Sequence, residues 1–339
     1  MLFLLAIYRG VADGSVEYIR ENKTDLWILQ RNATNILRGS SILSTGYVNV
    51  IRKVPGVRSV SAVLLLLSTV KKRDTHATIF LAGYDHLAGI GGPPRVVEGR
   101  SVQTDNEIVL DKSFAAKLNF VVGDQVYIQD DSLRLVGLSA GTNALVIQYA
   151  FVTLHRAQYL LGFPSIVTCF LVTTEDQGQI ATVAQRIREE LPGLEVYDHE
   201  TFLKNNIYEM ESGFLPLLYT IAAIGAIVLT AILSLLLSIN ILERQKDFAV
   251  IMTLGSPTGF LRNLVIQLAL LITTASSFVA LALFFPLTTI IEAIAPEVST
   301  KSSPEQIFVV LFIVGVMSLL SSFISVQRIR RIYPLEAFS

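Results

Sequence analysis

Histidine and cysteine are the residues whose spacing would first reveal a metal or redox site. The four histidines, His76, His86, His155 and His199, are scattered, and none has the i, i+4 partner with which one element binds zinc. Cys169 is the only cysteine, which excludes an intrachain disulfide, and we expect it to be a small buried apolar side chain. These residues therefore predict no metal and no cofactor.

Catalytic and nucleotide-binding patterns are missing as well. No nucleophile, base and orienting group converge in any motif, so an enzyme is the least favoured class. The pattern G-x-x-x-x-G-K-[ST] does not occur, so ATP-driven work has to come from a partner chain. The net charge is −1 and there is no basic cluster, so nothing indicates nucleic acid.

The charged residues with the clearest functional pattern lie in residues 243–262, ERQKDFAVIMTLGSPTGFLR. Phe248, Ile251 and Met252 fall at i, i+3 and i+4, which predicts one apolar stripe on a helix. Gly255 then predicts the end of that helix. A docking helix that binds a partner would combine such a stripe with charged side chains, and the candidate partner-binding residues are Glu243, Arg244, Lys246, Asp247, Phe248, Ile251 and Gly255.

A plainer interpretation of the same segment is a basic membrane anchor, which needs only Lys and Arg. The apolar stripe between the charges favours the docking helix. After Gly255, Ser256 and Pro257 predict an N-cap and a first helical position, so a second helix follows a tight break.

Long apolar stretches lie on both sides of residues 243–262. Residues 214–239 and 264–283 contain no Asp, Glu, Lys, Arg or His, and residues 307–324 form a third apolar run. A helix of about 20 such residues crosses a bilayer. Mean hydropathy of +0.55 with only 16% charged residues also indicates a chain that is partly in the membrane.

The first ten residues are too few for another complete span. We interpret residues 1–10 as the remnant of a truncated first transmembrane helix, because at ~1.5 Å per residue seven apolar residues cover only about 10 Å. Polar side chains within the spans, Gln267, Thr273, Thr274 and Ser276, are expected to serve helix packing.

The distribution of basic residues predicts the orientation. Arg244, Lys246 and Arg262 flank two spans, and an arginine-rich tail at 327–339 follows the last one. Because Lys and Arg favour the cytoplasmic side, residues 243–262 and the C-terminus are expected inside, and the large loop 11–212 outside. The expected location is therefore the bacterial plasma (inner) membrane, as a multi-pass protein with a large extracytoplasmic domain.

Short alternating strands and helices between residues 11 and 212 predict an α+β domain. The segment GIGGPP at 89–94 marks a boundary. We therefore expect two subdomains, one built from 11–93 and 165–212 and the other a β-rich insertion at 94–164. With the spans they give the fold class: an α-helical transmembrane bundle of three complete helices and a truncated first one, with a large α+β extracytoplasmic domain.

Three motifs carry a family resemblance. Residues 243–262 resemble the cytoplasmic E-R-x-[KR]-[ED]-x-[AG]-[VI]-x-x-x-[LM]-G-[AS] stretch of the MacB/FtsX-type (type VII) ABC transporter permeases, with a narrower likeness to DevC-type permeases. The ending RRIYPLEAFS resembles that family's R-R-x-x-P-x-E-A-L, with Phe338 where Leu is commoner. Residues 107–128, EIVLDKSFAAKLNFVVGDQVYI, resemble its inserted subdomain with the A-x-x-L-x-x-x-x-G-D turn.

The resemblance implies a MacB periplasmic core-like domain followed by an FtsX-like permease domain at 213–339. It implies no enzyme activity in this chain, and as partners two copies of a separate ABC ATPase subunit, a second permease copy in a homodimer, membrane lipid, and in some systems a periplasmic membrane-fusion adaptor. The segment after the second span would dock on the ATPase, which assigns Glu243, Arg244, Lys246, Asp247 and Gly255 to that contact or its geometry.

The function that the resemblance implies is mechanotransmission. ATP hydrolysis by the partner would move the extracytoplasmic domain, for export or extraction of lipid, lipoprotein or small compounds. The alternative is a membrane-anchored regulator or binding protein that acts on a periplasmic partner without transport.

Overall fold

The structure is a computed structural model, and it describes residues 2–36, 39, 41–72, 75–129, 131–142, 148–244, 246–247, 250–251, 256–294 and 303–329. The chain divides into two compact units. One comprises Met1–Ala6, Leu215–Ile290 and Thr300–Ser339, and the other comprises Ile7–Phe214 and Ile291–Ser299. We call them the helical unit and the αβ unit.

The helices are α1 (Leu2–Glu21), α2 (Tyr47–Ile51), α3 (Lys112–Lys117), α4 (Leu154–Leu161), α5 (Ile180–Glu190), α6 (His199–Glu243), α7 (Thr258–Ile294) and α8 (Pro304–Ile329). The strands are β1 (Leu26–Gln30), β2 (Leu43–Ser44), β3 (Val57–Lys72), β4 (Thr75–Tyr84), β5 (Arg95–Gly99), β6 (Glu107–Asp111), β7 (Gln125–Ile128), β8 (Asp131–Ala140), β9 (Gln148–Thr153), β10 (Ile166–Val167), β11 (Cys169–Thr174) and β12 (Leu194–Asp198). The mixed α and β content predicted for residues 11–212 is confirmed.

The long strand β3 joins two parts of the sheet. At one end the strand order is β12, β1, β11, β3, and at the other β3 pairs with β4 and β7. The pairs β3–β4, β4–β9, β9–β6, β6–β8, β8–β7 and β7–β3 close into a ring. A closed ring removes free strand edges and encloses its own core, which here includes Val70, Ile79, Val126 and Leu133.

The open part of the sheet is covered on both faces. On one face Trp27 of β1 stacks on Phe202 of α6 at 4.7 Å. The same core extends to the ring, where Tyr18 of α1 stacks on Tyr149 of β9 at 5.0 Å. On the other face α2 and α5 pack against the alternate residues of the same strands. This explains why β1 reads as an unbroken apolar run: successive side chains enter two different cores.

Two glycines shape α4, one where the helix packs on β4 and one where the helix ends. A Cβ at Gly83 of β4 would lie 2.2 Å from the Cβ of Ala157, so the helix can lie against the strand only where this side chain is missing. Gly162 ends the helix in the left-handed region with φ +79°, and its N–H donates to the carbonyl of Gln158.

Cys169 lies in β11 and is fully buried, as predicted, and burial raises the pKa of its thiol to about 12. The sequence pattern over residues 166–173 predicts one continuous strand. This prediction is wrong at Thr168, which separates β10 from β11. Its hydroxyl bonds to both the N–H and the carbonyl of Leu65, and in this way replaces the regular ladder.

In the described chain, three helices are long and apolar enough to cross a membrane: Leu215–Glu243, Arg262–Ile291 and Pro304–Phe323. They confirm the three predicted spans. The sequence also predicts that residues 286–306 connect the last two spans. The start of this connection is wrong, because α7 continues through Pro286 to Ile294. Residues 2–10 belong to α1, which runs to Glu21. The truncation of a first span stays a prediction, as does the division of the αβ unit at 94 and 164.

Candidate functional site

The predicted docking segment begins where α6 ends. Glu243 is the last residue of α6, and Arg244 forms a turn in which its N–H donates to the carbonyl of Asn240 at 3.3 Å. Lys246, Asp247, Val250 and Ile251 are helical again. The predicted helix is therefore present at the positions that are described, and a turn separates it from the span.

The described charges of this segment point to solvent. Glu243, Arg244, Lys246 and Asp247 are all exposed, and within the described part of the chain none of the four enters an ion pair or a side-chain hydrogen bond. Long charged side chains without partners contribute little to the stability of their own chain. They remain free to pair with another protein.

The apolar side of the segment is only partly described. Ile251 is half-buried and Val250 is 52% exposed. Phe248 and Gly255, which were predicted to complete the stripe and to end the helix, lie outside the described residues, as does Met252. The structure therefore brings together Glu243, Arg244, Lys246, Asp247 and Ile251 on one short segment, and the predicted contribution of the other two stays a prediction.

The next helix begins as expected, with a shift of one residue. α7 starts at Thr258, directly after Pro257, and the N–H of Phe260 donates to the carbonyl of Pro257 at 2.9 Å. Phe260 is 50% exposed and Arg262 is exposed. The segment thus presents apolar and charged side chains on both sides of the break.

A groove of about 360 Å³ lies beside the end of α6, between α6, α7 and α8. Its polar lining consists of Glu243 and Asn240 of α6, Thr273 of α7 and Ser318 of α8. The Thr273 hydroxyl donates to Ser318 Oγ at 2.7 Å and so links α7 to α8. Because Glu243 lines this groove, a change in the packing of the three helices would change the surroundings of its side chain.

Serines in the last span are functional candidates that sequence reasoning missed. Ser318, Ser321 and Ser322 of α8 are buried, and Ser321 Oγ donates to the carbonyl of Thr230 in α6 at 3.3 Å. Their i, i+3, i+4 spacing was a readable signal for a polar seam between helices. Of the predicted packing residues, Thr273 bonds across helices, whereas Thr274 bonds to its own helix at Leu270.

In the αβ unit, by contrast, the carboxylate of Glu107 is satisfied internally. Arg100 holds the Glu107 carboxylate through two N–H donors, and the N–H groups of Gln103 and Thr104 donate to the same carboxylate. Hydrogen bonding by Arg100 is the main cause that lowers the pKa of Glu107 to about 2. No group of three or more metal-ligating side chains occurs among the described residues.

Comparison with known proteins decides the family. The model of the MacB-like periplasmic core domain matches residues 1–190, more than half of the chain, and that of the FtsX-like permease C-terminal domain matches residues 219–334. The chain belongs to the MacB/FtsX-like family of ABC transporter permeases. This confirms the resemblance that the three motifs carried, and an ABC permease implies an ATPase partner.

Individual relatives are distant. An uncharacterised ABC transporter permease of Mycobacterium bovis is 24% identical over 99% of this chain and 90% of its own length. Another, of Mycobacterium tuberculosis, is 26% identical over 84% of this chain and 75% of its own. The periplasmic region of MacB from Actinobacillus actinomycetemcomitans superposes on 55% of this chain and 94% of its own length, with 13% identity and a TM-score of 0.43.

Proposed function

We propose that this MacB/FtsX-like permease couples ATP hydrolysis by a separate ATPase subunit to movement of its αβ unit, and that residues 243–262 are the contact with the ATPase. The observation that carries the proposal is a set of four exposed charges at 243, 244, 246 and 247 that pair with no described residue, next to a half-buried apolar side chain. This combination suits a docking helix, since apolar anchors give affinity and the charges give orientation.

The proposed orientation places this segment in the cytoplasm and the αβ unit outside. Arg244, Lys246 and Arg262 lie at the ends of two spans and satisfy the positive-inside rule. The proposed complex contains two permease copies and two ATPase copies, with a membrane-fusion adaptor as an optional extracytoplasmic partner. The proposed cargo is lipid, lipoprotein or small compounds, and moving it requires no covalent chemistry in this chain.

α6 is the element proposed to carry the motion. It is helical from His199 to Glu243, and its first residues pack in the αβ unit, where Phe202 stacks on Trp27. Its last residue belongs to the docking segment. A displacement of Glu243 by the ATPase would therefore reach the αβ core along one helix.

The contact is tested by co-purification. The full-length protein is extracted in detergent from cells that produce its ATPase, and the double variant Glu243→Ala with Lys246→Ala is compared with wild type. We expect about a tenfold loss of recovered ATPase, which corresponds to ~1.4 kcal/mol, because one acidic and one basic side chain of the charged surface are removed.

The matched control is Glu200→Ala with Lys204→Ala, an exposed acid and base of the αβ unit that approach to 3.7 Å, which should leave recovery unchanged. Equal recovery from the Glu243 variant would exclude this segment as the contact. Failure of the wild-type protein to recover any ATPase would instead favour a membrane-anchored regulator that works without transport.

Orientation is tested separately with a membrane-impermeant maleimide. Leu87→Cys, at a position 85% exposed in the αβ unit, should be labelled in intact cells, whereas Lys246→Cys should react only after permeabilisation. The native thiol does not interfere, because Cys169 is buried. The reverse labelling pattern would contradict the proposed topology.

A further inference from the structure

The outer face of the strand ring carries a surface that the proposed function does not use. Register places Leu67 opposite Phe80, Thr69 opposite Thr78, and Lys71 opposite both His76 and Tyr127. Directly paired residues share a face of the sheet, so these side chains form one continuous strip on β4, β3 and β7. We call it the outer wall; its argued members are Leu67, Lys71, His76, Phe80, Tyr127 and the adjacent Arg134 of β8.

The strip cannot turn inwards. The alternate residues of the same strands, such as Val70, Ile79 and Ile128, are fully buried inside the ring. Because successive side chains point to opposite faces, burial of these residues forces the outer wall to face outwards.

The side chains become more exposed along the row of paired residues Tyr149, Phe80 and Leu67. Tyr149, the register partner of Phe80 on the next strand, is buried beneath Tyr18. Phe80 is half-buried, and Leu67 beyond it is 59% exposed. Tyr127, also on the wall, is 50% exposed. Exposed aromatic and aliphatic side chains with a polar surround are the composition of a binding surface.

The charge of the wall has one sign. Lys71 and Arg134 are exposed, and within the described residues neither enters an ion pair. The carboxylate nearest in register is Glu107, opposite Arg134, and it is held by Arg100. The wall therefore offers cations at one end and, four residues or ~13 Å along β3, the apolar pair Leu67 and Phe80 at the other.

We propose that the outer wall docks an acidic segment of a separate extracytoplasmic protein. An apolar side chain of that segment would cover Leu67 and Phe80, while its carboxylates pair with Lys71 and Arg134. The inference rests on the extracytoplasmic position of the αβ unit proposed above, and it adds a surface and a chemistry to that function.

Two other occupants fit less well. A second copy that packed wall against wall about a two-fold axis would place these cations among their own copies, and like charges at an interface are repulsive. An anionic membrane surface is usually read by clusters of about four to eight Lys or Arg, more than the wall carries.

The test is photo-crosslinking in intact cells with the full-length protein. A photoreactive amino acid replaces Leu67, and in a control it replaces Leu87, which is 85% exposed in the same unit but outside the wall. Mass spectrometry of the crosslinked peptides from position 67 should identify a carboxylate-rich segment of an extracytoplasmic protein, with no such product from position 87.

Charge reversal then decides the chemistry. Lys71→Glu with Arg134→Glu should lower the crosslink yield roughly tenfold, and reversal of the facing Asp or Glu in the identified segment should restore it. Lys53→Glu, an exposed lysine elsewhere in the unit, should have no effect. The Trp27 emission midpoint in urea should be unchanged in every variant, which verifies that the domain is folded.

Adducts only with lipid or with a second copy, no adduct at all, or a yield that charge reversal does not lower would each overturn the proposal. The maleimide experiment separates this outcome from failure of the proposed function. If Leu87→Cys is labelled from outside but position 67 gives no acidic partner, only the outer wall proposal fails. If Leu87→Cys is shielded in intact cells, the topology fails and the wall proposal fails with it.

Discussion

Two glutamates show how the αβ unit and the docking segment differ. Glu107 is held by Arg100 and by two backbone N–H groups, whereas Glu243 is exposed and contacts no cation in the described chain. The carboxylate of Glu107 already accepts hydrogen bonds from its own domain, whereas that of Glu243 is available to a partner protein. The contrast separates charges that stabilise this chain from charges that recognise another one.

The largest expected effect is on the core of the αβ unit. Phe202→Ala removes the ring that stacks on Trp27, and it should lower the free energy of unfolding by about 3–5 kcal/mol, since both rings are fully buried. Trp27 is the only tryptophan, so its fluorescence in urea reports this unit directly. Tyr208→Ala on the same helix, 71% exposed, should change the midpoint little; equal losses would show that the rings do not form a core.

In the docking segment, by contrast, we expect a substitution to change partner binding but not stability. Glu243→Ala with Lys246→Ala should leave the Trp27 midpoint within about 0.5 kcal/mol of wild type, because exposed unpaired charges contribute little to stability. The same variant should lose ATPase recovery. A loss of stability as large as that of Phe202→Ala would show that these charges stabilise their own chain, which contradicts the proposed difference between the two regions.

Acid titration sharpens the role of Glu107. Its folded pKa of about 2 lies below the unfolded value of ~4.3, so the folded state binds fewer protons between these limits. The stabilisation is complete above the unfolded pKa and is lost as pH falls towards 2. Solvent screening of the Arg100 side chain, 46% exposed, limits the effect to about 1 kcal/mol.

Urea midpoints of wild type and Glu107→Gln, measured between pH 7 and pH 2.5, should therefore converge at the acid end. Glu98→Gln, an exposed glutamate on β5, is the control and should differ little from wild type throughout. A constant gap between wild type and Glu107→Gln at all pH values would assign the effect to packing instead of charge.

The smallest effect is expected at the seam between α7 and α8. Thr273→Val removes the hydrogen bond to Ser318 and should cost about 0.6 kcal/mol in detergent unfolding, the usual value for a hydrogen bond between membrane helices. Thr274→Val removes only a hydrogen bond within α7 and is the control variant. If both cost the same, Thr273 is not a link between helices.

Local pattern predicted most strands and helices of the αβ unit to within a few residues. β5 and the two-residue strand β2 were not predicted, since such short segments have too little periodicity. The start of α6 at His199 was also missed, because residues 199–213 are polar and the transmembrane pattern begins only after them. Closure of the ring depends on the β7–β3 pair, and pairing between distant strands leaves no local signal.

For the site, the residue types at 243, 244, 246 and 247 were enough to predict a group of exposed charges, although Arg244 lies in a turn and not in the predicted helix. Whether a charge has a partner depends on what packs nearby, and the sequence does not show that. Glu107 and Glu243 are the same residue type, and the difference between them is the Arg100 guanidinium that bonds to Glu107. The i, i+3, i+4 spacing of Ser318, Ser321 and Ser322 in α8 indicates a polar seam, but these serines were not among the predicted residues.

Strand β3 has a consequence for how the αβ unit opens. Its amides bond to β11 at one end and to β4 and β7 at the other, so it is a member of both the open sheet and the ring. Opening that frees the whole of β3 must therefore break bonds in both parts. Amide protons in the middle of β3 should therefore exchange with solvent only through global opening, at one common rate, and the unit should transmit a pull on α6 as a single cooperative body.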